Sequence, residues 1–107
     1  MTDPDSITIR YRALKKQAPH AILLMQVGPF MQVLDEDAYT MARVAGLQLS
    51  QTGDEHEPVI LGRFPLSGLD LYVGRLARAG LSCAIARQEH QETRITEMIR
   101  IQQDCAL

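Results

Sequence analysis

Cysteine is scarce in this sequence: Cys83 and Cys105 are the only two, and they are far apart. They fit neither a metal-binding spacing nor a disulfide framework. Reduced thiols and a cytoplasmic setting are the expectation. No apolar run approaches the roughly 20 residues of a membrane span, and no charged-then-apolar leader opens the chain. An excess of positive charge is missing too: 11 basic against 13 acidic residues leave a net charge of −2. Any attraction for nucleic acid must therefore come from a local face and not from the net field. The sequence also lacks a phosphate-cradling loop, a dinucleotide fingerprint, a nucleophile elbow and a zinc-binding pair. A protein that is not an enzyme follows, with no cofactor, no metal and no nucleotide.

The three histidines do not change that reading. His56 lies among Asp54, Glu55 and Glu57, but these are neighbours on one loop, without the paired spacing that fixed coordination requires. A solvated acidic loop is expected there, and the same holds for His90 between Glu89 and Glu92. Cys83 sits among apolar residues and reads as core, with no base placed to activate it.

What is present describes one globular unit. The length suits a single domain over 1–107, and a hydrophobic fraction of 46% is enough for a core. The start at Met1 and the absence of a linker lean towards a stand-alone module. Asp3-Pro4 reads as an N-cap and first turn, and Ile7, Tyr11 and Leu14 recur at helical spacing, predicting a helix near 4–17. Residues 21–27 form a short apolar strand, Gly28-Pro29 a turn, and 30–34 a second strand in a hairpin. Asp35 is placed to cap a helix with Ala38, Met41, Ala42 and Ala45 on one face and Gly46 at its end. Short strands follow at 47–50 and 59–64, separated by a polar loop over 52–58. Ser67 and Asp70 resemble a capping box before a helix carrying Leu69, Val73, Leu76 and Ala77. Strands at 82–86 and 95–101 close the chain, with a polar turn over 88–92. The predicted fold class is α/β (α+β): a mixed sheet with about three helices packed on it.

The residues that stand out are Phe30 and Gln32. Side chains two apart on a strand share a face, so Phe30 and Gln32 project together while Met31 and Val33 go to the other side. An aromatic beside a bifunctional amide is the pairing used to unstack DNA and read a base edge. The same pattern also suits an aromatic packed in the core with a glutamine at the sheet rim. Spacing alone favours that second reading.

The segments YRALKKQAP, AILLMQVGPFMQVLDEDA, GLQLSQTG, EPVILGRFP and LYVGRLARAGLSCAIARQ change the balance. In their order and nearly ungapped spacing, residues 11–88 resemble the N-terminal mismatch-recognition domain of the MutS family. The resemblance implies that family's fold and binding of mismatched double-stranded DNA in mismatch repair, without ATPase activity in this domain. In the family a Gly-Asp-Phe-Tyr-Glu run places the phenylalanine in the duplex and the glutamate on the displaced base. Here the run is Gly28-Pro29-Phe30-Met31-Gln32, so Phe30 matches and Gln32 replaces the carboxylate with a neutral amide. Leu66-Ser67 replaces the family's Tyr-His pair, Gln51 and Thr52 replace basic residues, and Arg63 stands where a glycine is expected. The expected DNA-contacting set is Phe30 and Gln32 from the resemblance, with Arg10, Arg12, Lys15, Lys16 and Arg63 as local basic residues to meet phosphate, and with mismatch repair proteins as further partners. The alternative is a partner-binding module that keeps the fold and uses Phe30 as an apolar anchor.

Overall fold

Ile22 and Leu24 point to one side of their strand and Leu23 to the other, and all three are buried. A strand apolar on both sides must be covered on both sides, which places it inside a sheet flanked by two layers. The computed structural model, which describes residues 4–53 and 56–101, shows that arrangement. Its elements are α1 (Pro4–Lys15), β1 (Ile22–Val27), β2 (Phe30–Leu34), α2 (Asp35–Ala45), β3 (Leu49–Gly53) and β4 (Pro58–Pro65). A 3-10 turn (Leu66–Gly68), α3 (Leu69–Arg78), β5 (Cys83–Glu89) and β6 (Glu92–Ile99) complete them.

The six strands run in the order β3-β4-β2-β1-β5-β6. The central β1–β5 pair is parallel and the other pairs are antiparallel, so the sheet is mixed, as expected from the sequence. Helices α2 and α3 cover one face, where Met41, Ala45, Leu69 and Leu76 pack with Ile22, Leu24, Met31, Val33, Phe64, Cys83 and Ile85. Among the described residues, the other face carries only α1, through Tyr11 and Leu14 against Leu23, Met25, Leu34, Ala84 and Ala86. Gly62 lets β4 pass beneath the loop before β3: a Cβ there would lie 2.4 Å from Leu47 Cδ2. One helix cannot cover a face of six strands, and the shortfall decides where functional side chains can emerge.

Two helix starts differ from the sequence expectation. Leu34, not Asp35, is the N-cap of α2, and no side chain caps it. Asp35 instead takes a left-handed φ of 58° and turns its carboxylate to Arg12, with Nε–Oδ2 at 3.0 Å and Nη2–Oδ1 at 3.1 Å. A two-point charge-assisted bond outcompetes a single cap bond to a backbone amide. Gly68 is the N-cap of α3, again without a side-chain cap, because Ser67 lies within the 3-10 turn. The Ser67–Asp70 capping box is therefore absent. Several strand boundaries also move, and β3 runs on to Gly53, into the stretch expected as loop. Leu47 is buried beside Gly62 and β3 begins at Leu49. At the other edge β5 and β6 continue to a two-residue turn at His90–Gln91, both with positive φ, the geometry that suits the twist of a hairpin. Of the features read from sequence, Asp3, Asp54, Glu55 and Cys105 lie outside the described residues.

A buried polar knot joins α1 to both sheet and α2. Asp37 is only 6% exposed, and its Oδ2 accepts from Lys15 Nζ at 2.8 Å and from the Leu23 amide at 3.0 Å. The Tyr11 hydroxyl, 3.2 Å from the same oxygen, donates its single proton to the Leu23 carbonyl at 2.6 Å. Burial, and then the Asp37 charge, push the Tyr11 phenol well above its ordinary pKa. A buried carboxylate persists only when paired and hydrogen-bonded, and both conditions are met here.

Candidate nucleic-acid interface

The site begins with the pleat of β2. Met31 and Val33 are fully buried against α2 and α3, which sends Phe30 and Gln32 to the α1 side. Both are half-buried, lying beyond the cover that α1 provides. On β4, Gly62 and Phe64 pack towards α2 and α3, so Arg63 emerges on the α1 side. Register then brings the three together. Gln32 pairs with Arg63 on one flank and Met25 on the other, and Phe30 pairs with Pro65 and Val27. The Arg63 guanidinium carbon stands 4.8 Å from the centroid of the Phe30 ring. A planar cation on an aromatic face is held electrostatically and keeps its in-plane N–H donors outward.

The turn that leads into Phe30 is tied down from three directions. The Leu66 amide donates to the Pro29 carbonyl at 2.9 Å. The Gly28 amide donates to Gln88 Oε1 at 3.0 Å, and the Gly28 carbonyl accepts from Gln26 Nε2 at 3.1 Å. Gln26 Oε1 in turn accepts from the Gln88 amide at 3.0 Å. Gly28 adopts a φ of 59°, which a glycine reaches without steric cost.

The other sequence-predicted contacts are not brought to this place. Arg12 is paired with Asp35 and Lys15 with Asp37, both beyond the end of β2 opposite Phe30. Asp35 lies five residues on from Phe30, roughly 16 Å along an extended strand. Arg10 reaches the other way, towards Thr93 on β6 at 3.5 Å. Lys16 is exposed in the turn after α1. Phe30, Gln32 and Arg63 thus form one cluster, while the basic residues of α1 are spread about its flanks. Gln26, Gln88 and Leu66 support the turn and were missed in the sequence. Gln88 lies sixty residues from Gly28, and only the parallel β1–β5 pairing makes them neighbours. Among the described residues, no three His, Cys, Asp or Glu side chains gather to hold a metal.

These features define a small α+β module with an aromatic, an amide and a guanidinium side by side on the open part of one sheet face. The family model of MutS domain I matches residues 7–102. The chain belongs to the MutS domain I family. It is 34% identical over 93 residues to the DNA mismatch repair protein MutS of Methanothrix thermoacetophila, covering 85% of this chain and 11% of that protein. It is 39% identical over 80 residues to MutS of Cytophaga hutchinsonii and 35% over 80 residues to that of Salinibacter ruber, covering in each case 74% of this chain and 9% of the relative. The chain therefore spans about a tenth of the length of these curated relatives.

Proposed function

We propose that this chain recognises mismatched double-stranded DNA in mismatch repair, with Phe30 as a wedge, Gln32 as a base-edge reader and Arg63 as a contact beside the wedge. The observation that carries the reading is the Phe30–Gln32–Arg63 cluster on the open sheet face, in a chain of the MutS domain I family. An aromatic that enters a base step must pay for unstacking, and the cost is lowest where pairing is already weak. That difference alone gives preference for a mismatch. The Gln32 amide both donates and accepts, so it can meet either edge of a displaced base. Arg63 supplies a positive charge next to the point of entry, where phosphates approach. Lys16 and Arg10 are proposed as peripheral phosphate contacts. Arg12 and Lys15 approach DNA with their charges already partnered, so their share is smaller. No nucleotide hydrolysis belongs to the proposed role of this chain.

The test is an anisotropy titration with labelled duplexes that differ by one mismatched pair, at low salt. Tighter binding of the mismatched duplex is expected. Equal binding of both, or no binding to either, would overturn the proposal.

A further inference from the structure

We infer that Gln88 and Gln26 are positioning residues that hold the Gly28–Pro29 turn and so fix the direction in which Phe30 leaves the sheet. The inference rests on the wedge reading of Phe30 and adds to it two residues that themselves stand behind the turn.

The turn has one loose point. Pro29 has no backbone N–H, and Gly28 is the residue with the widest conformational freedom. The proline ring fixes φ at Pro29, and pairing with Val27 and Pro65 fixes the Phe30 backbone, which leaves Gly28 as the hinge that needs holding. Side chains from other strands meet that need. Gln88 Oε1 takes the Gly28 amide at 3.0 Å, Gln26 Nε2 reaches the Gly28 carbonyl at 3.1 Å, and Gln26 Oε1 holds the Gln88 backbone amide at 3.0 Å. Gly28 has both of its polar groups occupied, and Gln26 also ties β1 to the Gln88 backbone of β5. The Leu66 amide fixes the Pro29 carbonyl from the far side. Phe30 is the next residue.

The bonds of this clasp are exposed, so water replaces them at little cost to folding. Their consequence is geometric. A wedge has to enter a base step within a narrow range of angle, and groups held to such tolerances need a supporting shell of hydrogen bonds. A carboxylate at position 88 still accepts from the Gly28 amide, whereas an aliphatic chain of the same size does not. That contrast separates orientation from bulk.

The experiment follows the Gly28 amide by hydrogen exchange in NMR and the mismatched-over-matched affinity ratio by anisotropy. It compares the wild type, Gln88→Leu, Gln88→Glu and Phe30→Ala. In Gln88→Leu the Gly28 amide is expected to exchange faster and the ratio to fall about two- to ten-fold, the size of one or two hydrogen bonds. Its melting temperature and its affinity for matched duplex should stay close to wild type. Gln88→Glu should keep both the amide protection and the ratio, while binding both duplexes more weakly through its added charge. Equal Gly28 exchange in the wild type and Gln88→Leu would overturn the inference. So would a full ratio in Gln88→Leu when Phe30→Ala has lost it, an outcome that leaves the wedge intact. A wild type without mismatch preference ends the wedge reading and this inference with it.

Discussion

Arg63 lies over the ring of Phe30 at 4.8 Å and stands directly across β2 and β4 from Gln32. A single residue of β4 therefore stacks on one member of the proposed reading pair and is the register partner of the other. Arg63→Ala should weaken binding to mismatched and matched duplex alike and lower the salt slope by about one unit. Arg63→Lys should keep that slope but lose the flat contact with the ring. Titrations at three salt concentrations distinguish the two outcomes. An unchanged slope in Arg63→Ala would place Arg63 away from the phosphates.

Gln32→Glu puts a carboxylate opposite Arg63 on a surface proposed to meet phosphates. Overall binding should fall, since a new negative charge faces a polyanion. The mismatched-over-matched ratio should rise, because the charge-assisted bond to a displaced base is stronger than an amide's. Tighter binding to both duplexes would show that position 32 does not face DNA.

The Lys15–Asp37 pair makes Lys15 a structural residue first. Asp37→Ala leaves the buried Leu23 amide without its acceptor and the half-buried Lys15 without its counter-charge, and should cost about 1–3 kcal/mol of stability. Tyr11→Phe removes the hydroxyl that binds the Leu23 carbonyl, and should cost about 1–2 kcal/mol. Urea unfolding followed by circular dichroism measures both. It also shows whether a DNA-binding defect in Lys15→Ala is a folding defect.

Stability should decline at alkaline pH. Burial, with a smaller push from Glu97, raises the Cys83 thiol from its ordinary 9.0 to about 11. The unfolded chain gives up this proton first, so the contribution is complete below about pH 9 and is lost as pH rises towards 11, at up to about 1.4 kcal/mol per unit. The Tyr11 phenol, raised for the same reason, adds to the loss above pH 10. Cys83→Ala should flatten the decline between pH 9 and 10 in denaturation curves, though its smaller side chain lowers stability at every pH.

The fold was legible where burial writes a pattern. The two-sided apolar run of β1, the alternation of β2 and the Met41–Ala45 stripe of α2 each dictate one element, and the helix-stopping glycines Gly46 and Gly80 take the positive φ their role implies. Legibility failed where partners are distant in sequence. Asp35 looked like a cap because its claim on Arg12 depends on α1 lying across β2. The ends of β5 and β6 looked like loop because there the two strands run past β1 as a polar hairpin that pairs through the backbone alone. The two-residue period put Phe30 and Gln32 on one face, and the family resemblance made them candidates. Arg63 joins them only through the β2–β4 register, and the glutamine clasp only through the β1–β5 pair.

Entry of the Phe30 ring into the duplex at the mismatch, as proposed, is read directly by the fluorescence of 2-aminopurine placed beside the mismatched pair. The base is quenched while stacked and brightens when its step is opened. The wild type should raise its emission on the mismatched duplex in a saturable way and leave the matched duplex dark. Phe30→Ala, at concentrations that restore binding, should leave both dark. An equal rise with Phe30→Ala, or saturated binding by the wild type with no rise on the mismatched duplex, would contradict the account.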